Sequence, residues 1–145
     1  MPEPYHLPQK TADAIARARR IVAIGTTVTR ALEHARRGGG VCAGTGLADQ
    51  RIGPETELGI VDAILTGTHE KGSSHHQLLR AFATDRVLAH AAEVLAAEGF
   101  RTHEFGDSML VERRASAAAA GARHDPIKSD RSGCSRRRNR RHAPW

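Results

Sequence analysis

The pattern of apolar and polar positions opens with an extended segment, Pro2 to Gln9. A first helix is predicted from Thr11, as N-cap, through about Arg20, with Asp13 in its first turn. The most informative stretch is Ile21 to Glu33, IVAIGTTVTRALE. Ile21–Ile24 is apolar and mostly β-branched, which predicts a buried strand of the parallel-sheet kind. Gly25-Thr26-Thr27 then turns the chain. Val28, Ala31, Leu32 and Ala35, at i, i+3, i+4 and i+7, predict one buried helix face. A strand that stops at glycine and feeds a helix leaves backbone N–H groups directed outward, ready for an anionic or polar ligand group. The triplet Gly38–Gly40 is expected to stop this helix.

Further along, Val41 to Thr56 is glycine-rich and reads as loop with a short strand. Leu58–Leu65 predicts a second buried strand, and Thr66–Ser74 a polar loop. Helices are predicted over His75 to Ala83 and over Asp85 to Glu98, the latter with Asp85 as N-cap and Gly99 beyond its end. Leu88, Ala91, Ala92 and Leu95 give it an apolar stripe. Phe100–Phe105 and Ser108–Val111 are strand-like around a break at Gly106-Asp107. Strands alternating with helices predict an α/β fold, a mixed sheet with flanking helices.

Charge divides the chain. The 145 residues carry a formal +6. Residues 1–114 hold 14 basic and 14 acidic side chains, and residues 115–145 hold eight and two. The first part, an expected α/β domain over 1–114, is formally neutral, so composition does not mark it as a nucleic-acid binder. The second part begins with the alanine-rich Ala115–Ala122 and ends in SRRRNRRHAPW. Its only large aliphatic residue is Ile127, too little to offset the entropy of ordering, and a disordered tail is expected. Such a tail either grips RNA phosphates through counterion release or is simply solvated. One Trp, one Tyr and three Phe leave little for a base-stacking platform.

Cys42 and Cys134 form no paired motif, which fits a reducing cytoplasm rather than a disulfide scaffold. Met1–Gln9 holds three prolines and no apolar core, so no signal peptide is expected, and no apolar run approaches membrane-spanning length.

Several positions carry candidate chemistry. Gly25, Thr26 and Thr27 either bind a carboxylate, phosphate or ribose hydroxyl, or supply only an N-cap. The segment lacks the spacing of a dinucleotide fingerprint or a P-loop. Arg30 and Glu33 lie three apart, able to pair with each other, and Glu33 also with Arg37. Alternatively, Arg30 stands one turn from the ligand loop to meet an anion. Asp62 shares strand parity with Leu58, Ile60 and Ile64. A carboxylate there must be paired, as a site residue or as a structural acceptor. His69, Glu70, His75 and His76 crowd one loop. Ser73 occupies the position where a zincin helix needs its second histidine, so no metal site is expected. A neutral-range base at His69 is the better functional assignment, against an exposed loop histidine. Asp107 either caps backbone N–H groups or reaches a substrate hydroxyl.

Taken in order, these pieces resemble the C-terminal part of the S-adenosylmethionine:tRNA ribosyltransferase-isomerases of queuosine biosynthesis. The matching segments are Tyr5, Thr11-Ala12, Ile15, IVAIGTTVTRALE, IVDAILTGTH (60–69), Ser73-Ser74, Ala81-Phe82-Ala83 and FGDSMLV (105–111). The resemblance covers about residues 3–112. It implies part of that family's major α/β domain. The implied reaction moves and isomerises the ribosyl part of S-adenosylmethionine onto 7-aminomethyl-7-deazaguanine in tRNA. Adenine and methionine leave and epoxyqueuosine forms.

S-adenosylmethionine is then a substrate, with no prosthetic group, and tRNA a partner in the cytoplasm. By matched position, Gly25, Thr26, Thr27, Arg30 and Glu33 form a ligand loop and its helix. His69, Ser73 and Ser74 are then a second site loop and Gly106 and Asp107 a third, with Ser73, Ser74 and Gly106 expected to bind substrate. Beyond the matched positions, Asp62 is expected to bind substrate and His69 and Asp107 to be catalytic, His69 as the base. The family's N-terminal part is not in this sequence, so the expectation is a truncated product, a diverged relative, or half of a split enzyme with a separately encoded N-terminal half. The alternative, from another class, is an inactive remnant acting as an RNA-binding or protein-interaction module.

Overall fold

A computed structural model describes residues 2–101 and 106–114. The tail from 115 onward, with Cys134 and Trp145, lies outside the described residues, as do 102–105 of the expected strand at Phe100–Phe105. Phe100 and Arg101 are not in a strand.

The extended N-terminal segment is strand β1 (Glu3–Leu7). Helix α1 (Gln9–Arg17) follows, with Pro8 rather than Thr11 as its N-cap. Pro8 lacks an N–H to lose, and its carbonyl accepts from the N–H groups of Thr11 and Ala12 at 3.0 and 3.1 Å. The helix ends three residues sooner than expected, because Ala18 is extended (ψ 136°).

Strand β2 (Val22–Ile24) stops at Gly25 and helix α2 (Thr26–His34) starts at once. The strand–glycine–helix unit stands where the sequence pattern puts it. The helix ends ahead of the glycine triplet. Those glycines instead turn a hairpin between β3 (Arg36–Arg37) and β4 (Gly40–Val41). Gly38 and Gly39 both have positive φ (53° and 89°), as a type I′ turn requires.

Next come β5 (Gly44–Ala48), β6 (Ala63–Gly67), α3 (Ser74–Leu79), α4 (Asp85–Ala97) and β7 (Ser108–Glu112). Helix α4 is capped by the Thr84 hydroxyl, which accepts from Val87 N–H at 3.4 Å, so Asp85 is its first residue and not its cap. β1 and β5 pair antiparallel. The central sheet has the order β2-β6-β7, with β2 parallel and β7 antiparallel to β6. Helix α2 packs against β2, β5, β1 and β6, and α1 against β4. The result is a mixed α/β fold with flanking helices.

Two expectations about the strands are corrected. Strand β6 starts at Ala63, not Leu58. Leu58, Ile60 and Val61 are buried as irregular chain, joining Ile64, Leu79 and Phe82 in the core. Burying side chains of that size stabilises by about 1.5–3 kcal/mol each. Only Ala23 of β2 is buried, while Val22 and Ile24 face outward. Among the described residues no helix is long and apolar enough to cross a membrane.

Candidate functional site

The central sheet decides which candidate residues meet. The carboxyl ends of the parallel strands β2 and β6 point the same way. Antiparallel β7 begins at that end, with Ser108 beside Gly67. Three loops therefore open at one end of one sheet: Gly25-Thr26-Thr27, the segment after Gly67 with His69, and Gly106-Asp107. Ligands of open α/β sheets bind outside the carboxyl ends of such strands.

Backbone hydrogen bonds hold the three loops. Gly25 N–H donates to Leu65 O at 2.8 Å, and Thr68 N–H to Asp107 O at 3.1 Å. The Asp107 carboxylate accepts from Arg101 N–H at 2.7 Å, and Thr68 Oγ1 donates to Arg101 O at 2.9 Å. Asp107 thus stands beside the histidine loop with one oxygen engaged by backbone. Gly25 is the N-cap of α2, with no side-chain cap. Neither Thr26 nor Thr27 takes that place. Thr29 donates its hydroxyl back to Gly25 O at 3.1 Å, one turn on.

His69 is the best-defined chemical group at this end. Its Nε2 shares a hydrogen bond with Thr66 Oγ1 at 2.8 Å. Its ring stacks on His75, with centroids 4.7 Å apart and planes 26° apart. Burial, then the nearby His75 and His76, hold its pKa below the ordinary 6.5. His69 is therefore a neutral imidazole at pH 7. Ser73 caps α3, its Oγ accepting from His76 N–H at 3.1 Å, and Ser74 is exposed in the first turn.

Beside this loop runs a groove of about 610 Å³ between the histidine segment and α4, within the range of small-molecule sites. Its bed is apolar, with Leu79, Leu88, Leu95 and Met109, and its rim carries His69, His76 and Lys71. His76 Nδ1 is buried and has no hydrogen-bond partner among the described residues. In the sequence His76 is only one of a crowd. What sets it apart is tertiary: α3 turns that ring into the groove while His75 stacks on His69. Thr66, which orients His69, could have been suspected from its place three residues before it.

The other candidates lie elsewhere. Arg30 forms an ion pair with Glu3 at 2.8 Å and donates to Ala48 O and Gln50 O at 2.9 and 3.3 Å, tying α2 to β1 and β5. Glu33 accepts from the N–H groups of Gly59, Ile60 and Val61 at 3.0, 2.9 and 2.9 Å. These bonds replace the helical ion pairs expected of Arg30, Glu33 and Arg37. Asp62 precedes β6, at the opposite end of the sheet, about 16 Å from Gly67 at 3.3 Å per residue. Its oxygens accept from Ile21 N–H and Arg113, both at 2.9 Å. Among the described residues no three His, Cys, Asp or Glu side chains gather to hold a metal.

The sequence pattern of a queuosine biosynthesis protein family matches residues 1–111. The chain belongs to that family. An S-adenosylmethionine:tRNA ribosyltransferase-isomerase of Thermus thermophilus is 42% identical over 114 residues, covering 75% of this chain and 33% of the relative. The enzyme of the same name from Deinococcus radiodurans is 38% identical over 119 residues, covering 79% and 33%. A crystal structure of an S-adenosylmethionine tRNA ribosyltransferase from Thermotoga maritima superimposes with a TM-score of 0.67 at 33% identity, over 74% of this chain and 39% of that one. The chain thus spans about a third of the length of the relatives it matches.

Proposed function

We propose that the chain supplies one part of a tRNA ribosyltransferase-isomerase site, working as a truncated or split form of the family enzyme. In the reaction the ribosyl part of S-adenosylmethionine is transferred and isomerised onto 7-aminomethyl-7-deazaguanine in tRNA, giving epoxyqueuosine. S-adenosylmethionine is the substrate and tRNA the acceptor, in the cytoplasm. The observation that carries this reading is the convergence of the Gly25, His69 and Asp107 loops at one end of the β2-β6-β7 sheet.

The residues support definite roles. Bound with its anionic end at Gly25-Thr26-Thr27, S-adenosylmethionine places its carboxylate against the first N–H groups of α2. In the tautomer whose Nε2–H donates to Thr66, His69 Nδ1 carries the lone pair. That nitrogen takes the proton from the carbon beside the sulfonium. A lowered pKa keeps the base unprotonated at neutral pH.

The test is a transfer assay on unmodified tRNA, with the full chain and the part of the Thermus relative that it does not align with. Transfer is expected with both components, and His69→Ala is expected to lower the rate about 10²–10⁴-fold, the usual worth of a general base. Undiminished transfer by that variant removes His69 from the chemistry. No transfer, with tRNA binding that disappears when residues 115–145 are deleted, favours the RNA-binding module instead.

A further inference from the structure

The outward face of the central sheet carries an apolar row in strict register. Strand pairing sets Ile24 beside Leu65 and Leu65 beside Leu110. Val22, two residues before Ile24, shares that face. These four side chains are 71%, 37%, 52% and 43% exposed, in the order Ile24, Leu65, Leu110, Val22. The next row, Ala23, Ile64 and Val111, points the other way into the core. Single exposed apolar residues are ordinary, but a row running across all three strands is not. Ala63, also on this face, is covered, and Glu112 at its margin pairs with Arg20.

A sheet with apolar rows on both faces is a middle layer. All-parallel sheets occur almost only with both faces covered, and the β2–β6 pair is the parallel part of this sheet. The second layer has a definite source in the family fold. The chain keeps the family fold over the shared part, yet covers only 33% of the Thermus relative and 39% of the Thermotoga structure. We propose that the Val22, Ile24, Leu65, Leu110 face is the docking surface for the polypeptide that supplies the remaining two thirds of the family fold. This rests on the partial-enzyme reading above and names the surface that reading requires. Gly25 directly follows Ile24, so a layer seated there abuts the open start of α2. Docking and completion of the ligand site are then one event.

The experiment mixes the full chain with the unmatched two thirds of the Thermus relative, without S-adenosylmethionine or tRNA. Light scattering gives the stoichiometry and titration calorimetry the Kd. A one-to-one complex is expected. Ile24→Asp and Leu110→Asp should each weaken it at least about tenfold, while Val94→Asp, at an exposed apolar position on α4, leaves it unchanged. Circular dichroism checks the fold of each variant. If an acidic variant unfolds, Leu110→Ser, which removes apolar area without adding charge, replaces it and should still weaken binding. Three results overturn the proposal: no complex, a complex indifferent to the face variants, or a homodimer of the chain dispersed by those variants. Binding without transfer would sink the reaction assigned above and leave the surface standing. Transfer by a complex indifferent to the face variants would do the reverse.

Discussion

His69 shows how much one side chain depends on its surroundings. Burial disfavours its charged form, and the neighbouring His75 and His76 add like charge when protonated. The sign follows. Its folded pKa lies below the unfolded value, so nothing is lost above pH 6.5. As pH falls from there toward the folded pKa, the unfolded chain takes up the proton first and stability declines. A proton NMR titration should place the His69 midpoint below 6.5, and His75→Ala should move it part of the way back. A His69 midpoint at or above 6.5 contradicts this account. At this scale the sequence showed the histidine crowd but not its order. Stacking on His75 and the Thr66 hydrogen bond are set by how β6 ends and α3 begins. Arg30 and Glu33 mislead for the opposite reason. Spacing along a helix suggests a local pair worth a few tenths of a kcal/mol, and longer-range partners with several hydrogen bonds win.

The strand–turn–helix unit turns on Gly25. Its φ of 87° with ψ of 159° belongs to a region that side chains rarely adopt. A Cβ there would meet nothing within 4 Å, so the obstacle is the backbone itself and not a clash. Gly25→Ala should therefore cost about 1–3 kcal/mol, read as a lowered urea midpoint with unchanged circular dichroism. A midpoint equal to that of the parent chain would show that the turn relaxes freely. This element was legible because apolar run, glycine and helical period agree. The phase of its helix was not. Val28 stays exposed and Thr29 is buried in its place, because Thr29 settles its hydroxyl on Gly25 O. Leu58–Val61 misled as well. Apolar runs report burial, and here the N–H groups of Gly59, Ile60 and Val61 are satisfied by the Glu33 carboxylate and not by a neighbouring strand.

Across the molecule, three strands from distant parts of the sequence must be joined into one sheet, and Asp62 joins them. It accepts from Ile21 N–H at the start of β2, stands just ahead of β6, and meets Arg113 just past the end of β7. Arg113 also donates to Leu58 O at 2.6 Å, and its N–H to Asp62 O at 2.8 Å. Both side chains of the pair are about four-fifths buried (18% and 20% exposed), so the pair is only partly screened. Asp62→Ala leaves the guanidinium without its carboxylate and the Ile21 N–H without its acceptor. Removing one partner of a well-buried pair costs 3–5 kcal/mol, and partial exposure here reduces that to about 2–4 kcal/mol. Among the described residues strand β7 is bonded only to β6, at the edge of the sheet, so the loss should fall there first. Native-state hydrogen exchange is expected to show the Met109 and Val111 amides, which face β6, losing protection before those of α2. Uniform loss across the chain would mean that Asp62 stabilises the fold as a whole and does not join its strands. If the outward face docks its partner as proposed, adding that partner should restore β7 protection in the variant, because Leu110 then lies under a second layer.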